Sequence, residues 1–225
     1  MPSVVPIPAT SWKESPVSTS AITASGVPSA SRADILPARD AVAIADVDTG
    51  VSLDNLPGRD LSKQELRSLA ADIASKPESW DQQLAFDDND RHFVSLHRDA
   101  HVDIWLLCWT PSNDTGWHDH DISSGAVAVP RGVLIEHNLA VGATGVETAV
   151  AAGRVFCFGP EHIHRLTGGE HGTVSIHAYS PPLWRMGQYA VTKAGVLKRV
   201  SVSYADELRP LDEVPEVESS RHPRA

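Results

Sequence analysis

The apolar positions of this 225-residue chain change period near its middle. Between Leu61 and Pro77 they recur at helical spacing, with Leu66, Leu69, Ala70 and Ile73 on one face. Ser62 and Glu65 make a capping-box pattern before that run, Leu61 stands as its staple, and Pro77 ends it. A second short helix is expected over 78–84. The stretch 35–47 is ambiguous, a short helix against the barrel being one reading. After Asp90 short apolar stretches alternate with turn residues about every ten positions, the signal of an all-β region. Strands are expected near 93–98, 102–110, 125–129, 132–139, 154–158, 173–179, 188–191 and 197–202. Turn chemistry lies between them at 111–114, Pro130-Arg131-Gly132, 142–145 and Gly168-Gly169. There is no repeat of 20–50 residues.

The flanks differ from this middle. Residues 1–33 are rich in Ser, Pro, Ala and Thr and read as a disordered tail, and 205–225 read as a loose acidic one. One domain over 34–204 is expected, as a monomer or small homo-oligomer. The formal net charge of -10 and pI near 5.5 disfavour nucleic acid and anionic membrane as partners. No apolar run is long enough to span a bilayer and no secretory signal is visible, so a cytoplasmic protein is expected. Cys108 and Cys157 sit in apolar strand-like runs and read as free buried thiols.

The candidate chemistry is concentrated between Gly116 and Tyr179. His118 and His120 alternate along a strand and so share a face. A second strand carrying His164 would close a third corner. Three neutral imidazoles converging inside a barrel make a socket for a divalent first-row metal, read here as iron with open positions. A lone His-x-His is a weak signal. Ser175, His177 and Tyr179 add to it, because residues at i, i+2 and i+4 of one strand share a face and must satisfy one another or a ligand. Asp119 points to the opposite face from the two histidines. His92, His97, His101, His137 and His171 read as surface or loop residues, and His162 as a neighbour of the site rather than a ligand.

This spacing resembles the two motifs of the cupin superfamily. Counting from His118 and His120, the cupin Glu place falls on Gly125 and the following Gly on Gly132. Gly153, the turn Gly159-Pro160-Glu161 and His164 occupy the second motif, with Gly168 at its Asn place. A sharper resemblance covers about residues 60–203. Leu106-Leu107-Cys108-Trp109, Trp117-His118-Asp119-His120, Gly132 with Glu136, Phe158-Gly159-Pro160, Ile163-His164 and Ser175-x-His177-x-Tyr179-Ser180-Pro181-Pro182 look like the cysteine dioxygenase family, most of all its bacterial branch.

The resemblance implies a mainly β, cupin-type jelly-roll barrel behind one or two helices. It implies an Fe(II)-dependent thiol dioxygenase that converts a small thiol, cysteine or a related mercapto acid, to its sulfinate with O2. His118, His120 and His164 would hold the metal, and Ser175, His177 and Tyr179 would be the catalytic line. The Ser180-Pro181 bond is often cis in that family. Mammalian members carry a Cys at the Gly125 place, crosslinked to the tyrosine, so Tyr179 is expected to be a free phenol here. The family's carboxylate-binding Arg lies two residues after a Tyr. Counting back from Trp109 puts Phe93 at the Arg place and Arg91 at the Tyr place. The two share a strand face, so Arg91 is the candidate for the substrate carboxylate, with Arg131, Arg165 and Arg185 as others. A non-redox metal-binding cupin and a non-catalytic ligand-binding cupin remain as alternatives, and the Ser175-His177-Tyr179 line favours the dioxygenase over both.

Overall fold

Strand alternation sorts this chain into two facing antiparallel sheets and decides which side chains lie between them. A computed structural model describes residues 36–37, 40–48, 50–139, 145–191 and 197–203. The tails expected at 1–33 and 205–225, and most of the turn expected at 142–145, lie outside those residues. One sheet runs in the order β1 (Leu36–Pro37), β8 (Val146–Ala151), β7 (Val133–Asn138), β10 (His164–Gly168), β5 (Trp117–Asp119), β12 (Arg185–Val191) and β13 (Leu197–Ser203). The other runs β2 (Val42–Ala43), β9 (Arg154–Phe158), β6 (Ser124–Arg131), β11 (Thr173–Ser180), β4 (Asp103–Trp109) and β3 (Phe93–Arg98). Neighbouring strands are antiparallel except β1 and β8. The fold is therefore mainly β, a cupin-type jelly-roll barrel preceded by one helix.

That helix, α1 (Lys63–Ala74), forms where the apolar period predicts it. Ser62 and Glu65 make the reciprocal capping box, satisfying two backbone N–H groups that the first turn leaves without partners. Leu66, Leu69, Ala70 and Ile73 are buried against Ile104, Leu106, Ala126, Ala128, Val174, Ile176 and Ala178 on the outer face of the six-stranded sheet. The alternate residues of the same strands, Trp105, Leu107, Trp109, Val127, Val129 and Tyr179, pack inside the barrel with Phe156, Phe158, Leu166 and Met186. β4 and β11 are buried on both faces along their whole length. This is why 104–109 reads as an unbroken apolar run, and why the polar residues of β11 can only be facing the barrel interior.

Three expectations are corrected. The described residues of 35–47 form no α-helix: β1, β2 and a 3-10 turn at Ile44–Asp46 stand there, the two short strands adding to β8 and β9. The helix expected over 78–84 is two 3-10 turns, Pro77–Ser79 and Asp81–Gln83. Trp80 between them leaves the helical region at φ -141 so that its indole can bury and donate to the Ile73 carbonyl at 3.0 Å. Pro130 and Arg131 belong to β6, and the turn is made at Gly132, whose φ of 78 suits a residue without a side chain. The Ser180-Pro181 bond is cis, as the resemblance implies. No helix among the described residues is long and apolar enough to cross a membrane.

The helix and the interior are on opposite faces of one sheet, so they should fail separately. Leu69 is completely buried. Leu69→Ala is expected to lower stability by about 2–5 kcal/mol, a buried leucine truncation leaving a cavity. Metal bound per folded molecule should not change. Urea unfolding with metal analysis of the folded fraction checks this, and metal loss from folded protein would mean that α1 shapes the interior.

Candidate metal centre

The centre is assembled by register. β5 lies between β10 and β12, with His118 directly opposite His164 on one side and Gln188 on the other. Directly opposed residues on neighbouring strands bring their side chains into contact, and the His118 and His164 rings are 4.7 Å apart by centroid. His120, just past the end of β5, comes to 4.9 Å from His118 and 5.2 Å from His164. One nitrogen from each of the three lies within 4.8 Å of the others. All three are buried.

The hydrogen bonds decide which nitrogens face inward. His118 Nδ1 lies 3.0 Å from the Gly116 carbonyl and His164 Nδ1 lies 2.9 Å from Glu136 Oε1. A carbonyl and a carboxylate only accept, so each Nδ1 carries the proton and each Nε2 keeps its lone pair. His164 Nε2 and both nitrogens of His120 are buried with no hydrogen-bond partner among the described residues. Buried polar atoms are rarely left in this state without a bound ion or water to serve them. A divalent metal bound by imidazole fits this donor set. Burial pushes His118 and His120 well below the ordinary histidine range, and the neighbouring rings push them the same way. His164 is also lowered by burial, with Glu136 opposing. The ligands are thus held neutral, the form that binds a metal.

Glu136 serves two histidines with one oxygen, accepting from His164 Nδ1 and from His162 Nε2 at 3.0 Å. Burial raises its pKa, but the bonds from His162 and His164 outweigh that and hold it down to about 2. A carboxylate behind a ligating histidine fixes both tautomer and ring orientation. Expected only as a neighbour, His162 lies behind the triad through this carboxylate.

The back of β5 is clamped as well. Asp119 faces away from the triad and accepts a fork from Arg199, at 2.6 and 2.8 Å, and the Tyr189 hydroxyl at 2.6 Å. Burial raises the Asp119 pKa, but these donors outweigh it and hold the carboxyl well below the usual range. A Cβ at Gly187 would overlap both the guanidinium and this carboxylate. Sequence reasoning set Asp119 aside correctly but missed Arg199, whose only signal was a charge on a strand 80 residues away.

Ser175, His177 and Tyr179 form the line that their spacing implies. The Trp109 indole donates to Ser175 Oγ at 2.8 Å, Ser175 Oγ lies 2.8 Å from His177 Nε2, and His177 Nδ1 lies 3.0 Å from the Tyr179 hydroxyl. Burial holds His177 down to about 3, with His164 and Arg91 adding to the effect. The Tyr179 ring stacks on His120, 5.2 Å away. Gly125 pairs with Tyr179 on one side and Phe158 on the other, and a Cβ at 125 would overlap the Phe158 ring. Both cysteines are free.

Of the candidate arginines, the structure brings Arg91 to this group. It is 9% exposed, its guanidinium lies over the Trp109 ring at 4.9 Å, and it donates to the Asp114 carbonyl at 3.2 Å. Its charge contributes to the lowering of both His118 and His177. Arg131, Arg165 and Arg185 instead pair with Asp81, Asp114 and Asp121, with side-chain exposures of 49%, 37% and 68%. Phe93 packs on Trp105 at 5.7 Å. His97 and His137, expected at the surface or in loops, are half-buried in strands, where His97 pairs with Asp99 and His137 contacts Thr167 and Glu147. Outward-facing strand positions that are partly covered read as surface in a linear pattern.

The sequence model described as cysteine dioxygenase type I matches residues 40–192. Comparison with curated proteins gave no match. Among solved structures, KdgF from Halomonas sp. is similar at 13% identity and TM-score 0.37, over 41% of this chain and 82% of that one. A protein with a double-stranded beta-helix domain from Klebsiella pneumoniae is 15% identical at TM-score 0.40, over 45% and 80%. An RmlC-like cupin from Desulfovibrio desulfuricans is 16% identical at TM-score 0.38, over 44% and 90%.

Two outcomes follow from this geometry. Glu136→Gln should weaken metal binding by about 10–100-fold, the usual effect of losing such a partner, whereas His162→Ala should keep most of the metal. The reverse order in a chelator competition would put the ligand at 162. The second concerns pH. Histidines held neutral by burial have folded pKa values below the unfolded value, so the unfolded state takes up more protons as pH falls, and stability is lost downward from about pH 6.5. For metal-free protein, His177 alone should cost about 2 kcal/mol between pH 7 and pH 5. Urea midpoints at the two values check this, and equal midpoints would mean that the rings are hydrated.

Proposed function

Because the chain belongs to the cysteine dioxygenase type I family, we propose that it is an iron-dependent thiol dioxygenase, converting a small thiol and O2 to the sulfinate. The observation that carries this reading is the pairing of partnerless imidazole nitrogens with a buried Ser175-His177-Tyr179 line ending against His120. His118, His120 and His164 would hold Fe(II). When bound there, the iron supplies a meeting point for thiolate and dioxygen and the redox chemistry that neither can complete alone. In the balanced reaction sulfur forms two S–O bonds, the O–O bond breaks, dioxygen is reduced by four electrons, and sulfur supplies them. The cytoplasm is the compartment in which we place this chemistry.

The protein's own part is binding, orientation and proton placement. Arg91 is the proposed partner of a substrate carboxylate, since a charge-assisted guanidinium–carboxylate pair is strong and fixes orientation. Its stacking on Trp109 and its bond to the Asp114 carbonyl hold it in place. Trp109 can only donate to Ser175, so the Ser175 proton can be given to His177 Nε2. With the His177 proton on Nδ1, the Tyr179 oxygen accepts it and the phenol keeps its own O–H as a donor toward the substrate. The low pKa of His177 supports this neutral chain. The apolar barrel wall excludes water around it.

Oxygen uptake by iron-loaded protein with cysteine or 3-mercaptopropionate tests the reading. Arg91→Ala should raise KM by tenfold or more, about 1.4 kcal/mol of binding, for a carboxylate thiol and much less for cysteamine. Tyr179→Phe should instead lower kcat with a smaller change in KM. Equal losses for both thiols in the Arg91 variant would remove Arg91 from the site. No uptake with any thiol, in protein carrying Fe(II), would sink the dioxygenase reading.

A further inference from the structure

A cavity of about 810 Å3 lies between the two sheets at the end where β7 and β8 face β9. Its volume suits a small-molecule site. Asp40, Lys63 and Glu161 stand exposed at its outer margin. Its inner end is formed by Glu136 and His162, bonded to each other, and by the ring of Phe158.

That ring has a second set of neighbours. It is 5% exposed and packs at 4.8 Å from His120 and 5.0 Å from His164 by centroid. This aromatic ring thus touches the cavity on one side and His120 and His164 on the other, beside the Glu136–His162 pair that also reaches His164. The ring fits there because Gly125, its cross-strand partner, has no side chain. Phenylalanine offers no ligand atom and no hydrogen bond, so its contribution at this place is shape alone. Rotation about the terminal torsion of a Phe side chain is soft, so the ring can yield to a small group and obstruct a large one.

We propose that this cavity is the passage by which thiols reach the metal, and that Phe158 is a specificity-determining residue that limits the bulk attached to the thiol. The inference rests on the thiol dioxygenase reading above. The margin carries charges of both signs, an ammonium at Lys63 and carboxylates at Asp40 and Glu161. That arrangement suits small zwitterionic amino thiols, whose two charged ends can each meet an opposite charge on the way in.

The test measures binding rather than turnover. Cobalt(II)-loaded protein, held free of oxygen, is mixed with cysteine or with the bulkier glutathione, and thiolate-to-metal absorption is followed. Phe158→Ala should lower the ratio of the glutathione Kd to the cysteine Kd by at least tenfold, and the better-packed Phe158→Leu should lower it by a smaller factor. Val146→Trp, which narrows the exposed rim of the cavity, should slow cysteine association at least fivefold with its Kd changed less than twofold. An unchanged Kd ratio in both Phe158 variants would overturn the role of Phe158. An unchanged association rate in the Val146 variant would overturn the passage and move access to the Arg91 side. A thiolate band with neither effect sinks this inference alone, whereas no band in the unsubstituted protein sinks the thiol reading and this inference with it.

Discussion

Buried imidazole nitrogens that no group among the described residues satisfies are the constraint on which the rest of this structure turns. A buried polar atom without a partner costs on the order of 1–3 kcal/mol, and His120 and His164 carry such atoms side by side. A bound metal removes that cost and converts it into affinity. Without the metal the same nitrogens oppose folding. The surrounding structure keeps them from escaping to other partners. Gly116 and Glu136 engage the outer nitrogens of His118 and His164, Phe158 and Tyr179 cover His120, and the Asp119–Arg199 fork holds the short strand β5 from behind.

The barrel meets this demand by dividing labour between the two faces of the same strands. On β11, Val174, Ile176 and Ala178 pack under α1, while Ser175, His177 and Tyr179 build a polar line indoors. Burying the outer face under a helix gives the strand its stability through apolar contact. The inner face can then carry groups chosen for chemistry, provided that each one bonds the next. Trp109 joins the two requirements, as a fully buried core ring that also donates to Ser175 and supports the Arg91 guanidinium.

Much of this was legible because it is local. The capping box of α1, the shared face of His118 and His120, and the shared face of Ser175, His177 and Tyr179 are all fixed by spacings of two to four residues, which backbone geometry converts directly into direction. What was missed depends on register between distant segments. Glu136 reaches His162 and His164 across 26 and 28 residues. β8, which no expected strand covers, lies toward the edge of its sheet, where partial exposure blurs the alternation. The count that put Phe93 at the arginine place ran through β3, where the register with β4 shifts between Ser95 and His97. A one-residue irregularity of that kind cannot be read from residue types, and the placement of the Arg91 guanidinium over Trp109 becomes visible only in the fold.

The three histidines and the Tyr179 line are proposed to direct dioxygen onto sulfur together. Isotope incorporation tests it most directly. Iron-loaded protein is turned over with a small thiol under 18O2, and the product is examined by mass spectrometry. The account predicts a sulfinate in which both oxygens carry the label. A disulfide as the product, or a sulfinate with one or no labelled oxygen, would contradict it.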